Sequence, residues 1–201
     1  MIRLLLADDQ ELIRSALSAL LSLQDDFEVV AAVGRGDEVV AAAKAHHPDV
    51  ALLDIDMPGI DGLAAAGVLS HEVPACRSLI LTTFGRPGYL RRAMESGALG
   101  FVVKDAPAEQ LADAVRRVAA GERVVDPALA AATLASGASP LTTRERDVLV
   151  AARPGSTVSE IAEMLFLSEG TVRNYLSAAI AKTGVRNRAE AVRTADERGW
   201  L

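Results

Sequence analysis

The sequence predicts a doubly wound α/β domain with a five-stranded parallel sheet, followed by an all-α domain of four helices. Three observations point to this. Short apolar runs without polar alternation recur in the first half, each stopping on a polar group: Ile2 to Ala7 on Asp8-Asp9, Val50 to Leu53 on Asp54, Ser78 to Leu81 on Thr82-Thr83, and Gly100 to Val103 on Lys104. Such runs read as strands buried on both faces. Helical stretches alternate with them, as parallel crossovers require, and beyond Leu141 the pattern is purely helical.

The elements follow in order. Glu11 to Leu23 carries two apolar stripes at helical spacing, Ile13, Leu17, Leu20 and Leu21 on one and Leu12, Ala16, Ala19 and Leu23 on the other. Phe27 to Val33 reads as the second strand and Asp37 to Ala45 as the second helix. Pro48 opens the turn into the central strand, which ends at Pro58-Gly59. Leu63 to Leu69 is helical, Pro87 starts a helix ending near Gly97, and Pro107 opens one that runs to Ala120. Residues 121 to 139 form a connector in which Asp126-Pro127 starts a short alanine-rich helix ended near Gly137. The predicted division is residues 1 to 120, a linker from 121 to 139, and residues 140 to 201. In the last part Thr142 or Thr143, Thr157 or Ser156, and Ser168 are candidate N-caps, and Gly184 ends the third helix. The second and third helices, joined by a short turn at Leu167-Ser168, suggest a helix-turn-helix.

Ligands bind outside the carboxyl ends of strands in open parallel sheets. There the first half would gather Asp8, Asp9, Asp54, Thr82 and Lys104. Any one alone is an ordinary strand-end polar residue; five at matching strand ends form a set. Three carboxylates repel one another and need a cation, and oxygen-only ligands without His or Cys suit Mg²⁺. Mg²⁺ suits a phosphoryl group, toward which a carboxylate can act as nucleophile while metal and Lys neutralise the other oxygens.

These residues resemble the receiver domains of bacterial two-component response regulators, over roughly residues 1 to 120, and the resemblance implies a flavodoxin-like fold. It further implies that Asp54 accepts a phosphoryl group and that Asp9 ligates Mg²⁺ directly, Asp8 largely through water and Asp56 through its backbone carbonyl. Thr82 and Lys104 would contact the phosphoryl group, and Phe101 stands at the place of a mobile aromatic switch. Asp105 occupies a position where the family often has Pro.

Composition narrows the rest. The chain has 201 residues and a formal net charge of −6, and no apolar run approaches the roughly 20 residues a membrane-spanning helix needs. A cytoplasmic protein without membrane insertion is expected. Cys76 is the only cysteine, which excludes an intrachain disulfide, and His46, His47 and His71 lack metal-ligand spacing. Residues 1 to 120 carry 11 Lys and Arg against 17 Asp and Glu, whereas residues 140 to 201 carry 9 against 8. Only the second part could face nucleic acid, and only if its charges segregate. They do: Arg173, Lys182, Arg186 and Arg188 lie between Gly170 and Ala189 with no carboxylate. On the third helix Val172, Leu176 and Ile180 suit packing, which leaves Thr171, Arg173, Asn174 and Ser177 toward the other side, groups that suit a major groove or equally the solvated face of an all-α packing module.

The motifs Leu141-Thr142-x-Arg144-Glu145, Glu160-Ile161-Ala162, Leu167-Ser168-x-Gly170-Thr171-Val172-Arg173-Asn174 and Asn187-Arg188-x-x-Ala191-Val192 resemble the LuxR-type helix-turn-helix. With the receiver, the whole chain is similar to the NarL/FixJ class of response regulators, and Thr83-Phe84-Gly85-Arg86-Pro87-Gly88-Tyr89 and Thr171-Val172-Arg173-Asn174-Tyr175 look closest to its DesR-like members, associated with membrane-lipid desaturation. Tyr175 stands where the family usually has His, and Ala178 and Ala179 where it has larger residues. The resemblance implies a sensor histidine kinase as phosphoryl source, double-stranded DNA as target, and a phosphorylation-dependent homodimer. Contacts to DNA are expected from Thr171, Arg173, Asn174, Ser177, Lys182 and Arg188. Apolar surface in excess of one sheet face is covered either by neighbouring elements or by a second subunit, and the interface expected in the latter case is built from Leu12, Ala16, Ala19 and Leu23 with Leu111, Val115 and Val118. An enzyme is not expected. The rival reading, a Mg²⁺-dependent phosphoryl sink or aspartyl-phosphate phosphatase, leaves the helix-turn-helix unexplained.

Overall fold

The computed structural model describes residues 1–83, 85, 87–135 and 139–201. Phe84, Arg86 and the helix end near Gly137 lie outside these. Two compact units result, one of residues 1–85 with 90–130, the other of residues 86–89 with 131–201.

In the first unit, strands β1 (Ile2–Ala7), β2 (Phe27–Val33), β3 (Val50–Asp54), β4 (Arg77–Thr82), β5 (Gly100–Val103) and β6 (Val124–Val125) form one sheet in the order β2-β1-β3-β4-β5-β6. Every pairing is parallel. The intervening helices are α1 (Glu11–Leu21), α2 (Val39–His46), preceded by a single 3₁₀ turn, α3 (Gly62–Glu72), α4 (Pro87–Glu95), of which residues 90–95 belong to this unit, and α5 (Ala108–Ala119). β3 is buried at all five residues, as an unalternating run in a sheet covered on both faces must be. The chain winds outward in one direction from β1 to β2 and in the other from β3 to β6. The order therefore reverses between β1 and β3, the place where doubly wound folds bind their ligands.

The sheet has six strands rather than five. Val124 donates its N–H to the Leu99 carbonyl at 2.8 Å, and this two-residue strand turns the start of the connector into a sheet edge. After it, α6 (Pro127–Ala135) is capped by Asp126, whose side chain accepts from the Leu129 N–H.

One sheet face is covered by α1 and α5 together. Leu4, Leu6, Leu52, Leu79 and Leu81 from the strands pack with Leu21 of α1 and with Leu111, Val115 and Val118 of α5. The expectation that these three α5 residues face a second subunit is thus corrected: they are 6%, 0% and 0% exposed, because α5 needs its entire apolar stripe to close the core. The α1 half of that expectation differs, since Leu12 and Leu23 are more than 80% exposed and Ala16 and Ala19 are exposed beside them. On the approach to the site, a Cβ added to Gly62 would come within 1.8 Å of the Asp54 carbonyl oxygen, so only glycine lets α3 start this close to the end of β3.

The second unit contains α7 (Thr143–Ala152), α8 (Val158–Met164), α9 (Glu169–Thr183) and α10 (Arg188–Glu197) around a core of Val148, Leu149, Ile161, Val172, Leu176, Ala179, Ala191, Ala195 and Trp200. Thr142 and Thr157 each form a complete capping box, with Glu145 and Glu160. Between α8 and α9 the Leu167 N–H reaches the Ala162 carbonyl and the Phe166 N–H the Glu163 carbonyl, a Schellman turn with Phe166 in the left-handed conformation at φ 55°. Ser168 then caps α9 by accepting the Thr171 N–H at 3.1 Å.

The last turn of α9 is fixed from α7. Glu145, 5% exposed, accepts the Thr142 N–H at 2.7 Å and the Lys182 ammonium at 2.8 Å on the same oxygen. Burial pushes the Glu145 carboxyl up, but the Lys182 and Thr142 hydrogen bonds outweigh it and hold the group below the usual glutamate range. A depressed carboxylate stabilises the fold above its unfolded value, near 4.5, and that contribution is lost as pH falls through the folded value. The Glu145→Gln chain is expected to lose on the order of 1–2 kcal/mol at pH 7, with a flatter dependence below about pH 5. Urea unfolding followed by fluorescence of the single tryptophan, Trp200, checks this; equal slopes with pH in the two proteins would refute it.

Candidate functional site

The strand ends bring the acidic set together. β1 stops at Ala7 and β3 at Asp54, on adjacent strands, so Asp8 and Asp9 adjoin Asp54 across the β1/β3 reversal. One carboxylate oxygen from each of Asp8, Asp9 and Asp54 lies within 4.8 Å of the others, Asp8 and Asp54 being buried and Asp9 exposed. Three oxygen donors this close suit one small hard cation, whose oxygen ligands lie at about 2.0–2.1 Å. Asp56 follows on the exposed turn after β3.

Lys104 enters from the end of β5. Its ammonium lies 2.7 Å from Asp8 Oδ2 and 3.0 Å from Asp54 Oδ1, with a side chain only 9% exposed. Burial pushes the Asp54 carboxyl up and the ion pair with Lys104 only partly offsets this, so the group sits above the usual aspartate range. For Lys104, burial works downward, but the pairs with Asp8 and Asp54 prevail and hold the ammonium charged. The Lys104 N–H also donates to the Thr82 carbonyl at 2.7 Å, tying the ends of β4 and β5. Thr82 is 4% exposed and Phe101 2%, the latter in the middle of β5 opposite Ile80.

Sequence reasoning did not find two groups that hold Asp8. The Gln10 N–H donates to Asp8 Oδ1 at 2.9 Å, and Arg14 reaches the Asp8 carbonyl from the first turn of α1. Nothing in the sequence marks Arg14 for that contact, since it depends on the angle at which α1 leaves β1.

In the second unit α9 buries Val172, Leu176, Ala179 and Thr183 and exposes Arg173, Asn174 and Ser177. Thr171 is half-buried, with its hydroxyl 2.8 Å from that of Ser168, so it serves the cap. Two cations expected at DNA are engaged within the unit: Lys182 on Glu145, and Arg188 on the Ser156 carbonyl at 2.6 Å. A sequence run shows charges but not the partners that folding brings from more than 30 residues away. Arg173 pairs with Glu169 one helical turn earlier, at 2.7 Å.

Comparison with known proteins agrees with both halves. Residues 4–116 match the response regulator receiver domain, and residues 139–195 match the luxR family of bacterial regulatory proteins. Transcriptional regulatory protein DesR of Bacillus subtilis is 44% identical over 201 residues, covering 100% of both chains. Response regulator RamR of Streptomyces coelicolor is 43% identical over 100% of this chain and 98% of its own. The crystal structure of response regulator ChrA from a heme-sensing two-component system superposes with a TM-score of 0.59 at 33% identity, covering 100% of this chain and 98% of the other. Similarity that runs through both units and their connector, at these identities, leaves one family: the chain belongs to the two-component response regulators that join a receiver domain to a LuxR-type DNA-binding domain and regulate transcription.

Proposed function

We propose that this regulator is switched by phosphorylation of Asp54, with a sensor histidine kinase as donor, in the cytoplasm. The observation that carries the reading is the buried Asp54–Lys104–Asp8 cluster at the strand reversal. An Asp54 oxygen attacks phosphorus, the N–P bond of the phosphohistidine breaks, and the imidazole keeps the electron pair. Asp9, Asp54, the carbonyl of Asp56 and, at one remove, Asp8 would hold Mg²⁺, which supplies charge neutralisation for the incoming phosphoryl oxygens. Lys104, now split between two carboxylates, transfers one of its contacts to a phosphoryl oxygen, and the Thr82 hydroxyl donates to another. Because Thr82 and Lys104 end adjacent strands, these new contacts draw their loops inward, with Phe101 responding between them.

The functional division we adopt is receiver 1–120, connector 121–139 and DNA-binding domain 140–201, with β6 at the start of the connector completing the sheet. We assign sequence reading to Arg173, Asn174 and Ser177 on the exposed face of α9. Lys182 and Arg188 act instead by holding the helix and the loop before α8. The exposed stripe Leu12, Ala16 and Ala19 of α1 with Leu23 just beyond it, unusual on a monomer, is assigned to a two-fold contact with a second copy. That pairs two α9 helices about one DNA turn apart on a pseudo-palindromic site. By resemblance to DesR-like regulators, membrane-lipid genes are the targets to examine first among genomic fragments the protein selects.

Three outcomes are expected. Asp54→Asn abolishes labelling by a small phosphodonor with Mg²⁺; labelling equal to wild type would refute the assignment. Arg173→Ala changes the profile of sites selected from a random pool, by about 1–3 kcal/mol at the affected base pair, whereas Lys182→Ala alters stability before profile; an unaltered Arg173→Ala profile would remove α9 from the base edges. The Leu12→Asp, Leu23→Asp chain accepts phosphoryl at Asp54 yet stays monomeric in sedimentation, and phosphodonor-induced dimerisation of it would exclude α1.

A further inference from the structure

Two of the four cations between Gly170 and Ala189 are less available to DNA than composition suggests. Lys182 is held by buried Glu145 and Arg188 by the Ser156 carbonyl, and on the exposed face of α9 the positive charge nearest its N-terminus belongs to Arg173. That charge is itself paired. Glu169, the first residue of α9, places Oε2 2.7 Å from an Arg173 terminal nitrogen, with the two side chains 47% and 62% exposed. Glu169 stands just before the carboxylate-free stretch from Gly170 to Ala189, on the edge of the surface that would meet the groove.

We infer that Glu169 is a positioning residue for DNA sequence discrimination: it holds the Arg173 guanidinium and denies it to phosphate, so that only a base edge offering two acceptors draws it into full contact. This rests on the assignment of α9 as the reading helix. The chemistry differs between the two targets. A phosphate that takes Arg173 must approach a carboxylate of its own sign, at a helix start that otherwise favours anions. A guanine edge is neutral and presents O6 and N7 side by side, matching the free donors of a guanidinium that has five in a planar fork. Glu169 bonds one terminal nitrogen and leaves the rest to face the base. Charge repulsion therefore falls on non-specific binding more than on the specific complex. A purely structural Glu169 would act only as a first-turn acid for the helix, and its loss would change stability without changing discrimination.

The experiment compares affinity for a duplex selected by the wild-type chain with affinity for random duplex of equal length, over a salt series, using the full chain. Glu169→Gln is expected to raise affinity for random duplex about three- to tenfold at low salt, to steepen the log–log salt slope by about 0.9, and to lower the selected-to-random ratio by a similar factor. Glu169→Ala gives the same direction without the residual acceptor. In an Arg173→Ala background, Glu169→Gln should leave the ratio unchanged. A ratio unaltered by Glu169→Gln in the otherwise wild-type chain, or one lowered only through loss at a cytosine position, would overturn the inference. If Arg173→Ala itself leaves site preference intact, it is the assignment of α9 that fails, so the two failures are separable.

Discussion

Two carboxylates buried side by side, Asp8 and Asp54, are the constraint on which the first unit depends. Their repulsion is costly at low exposure, and the structure meets it with one ammonium: Lys104 lies within 3.0 Å of both. A pair of like charges bridged by a single cation is poised rather than settled, because any added anion at Asp54 or cation among the carboxylates redistributes the contacts of Lys104. Since Lys104 follows β5 and its N–H is bonded to the carbonyl that ends β4, redistribution there moves backbone on two strands. On the proposed reading, chemistry at Asp54 is thereby converted into a change of surface.

A second buried carboxylate organises the other unit in a different way. Glu145 completes the cap of α7 and at the same time holds the last turn of α9 through Lys182. The Schellman turn at Phe166 fixes the other end of α9. Held at both ends, the helix presents Arg173, Asn174 and Ser177 in one orientation, which is what reading a base edge requires. The contacts that hold α9 also engage two of the cations around it, Lys182 on Glu145 and Arg188 on the Ser156 carbonyl.

Much of this was legible in the residues. The run into Asp54 has no polar alternation and ends on a carboxylate, so its burial and position could be read directly, and Thr142 with Glu145 three residues later announces a capping box. What could not be read was set by tertiary contact. Val124–Val125 is too short to carry periodicity and becomes a strand only because the Leu99 carbonyl is there to receive it. Leu111, Val115 and Val118 show the spacing of an apolar face, but spacing does not say whether the sheet or a partner covers it; here all three pack into the core of the sheet beside α1. Lys182 and Arg188 count as basic patch in the sequence and as internal ties in the fold.

In the proposed switch, phosphorylation of Asp54 is coupled to DNA binding. The most direct measurement is the affinity of the wild-type chain for a duplex it selects from a random pool, with Mg²⁺ alone and with Mg²⁺ plus beryllium fluoride, a non-transferable stand-in for the phosphoryl group. A gain of about 10- to 100-fold with the fluoride is expected for a coupling of ordinary size. Equal affinity in the two conditions, with the fluoride bound, would contradict the coupling.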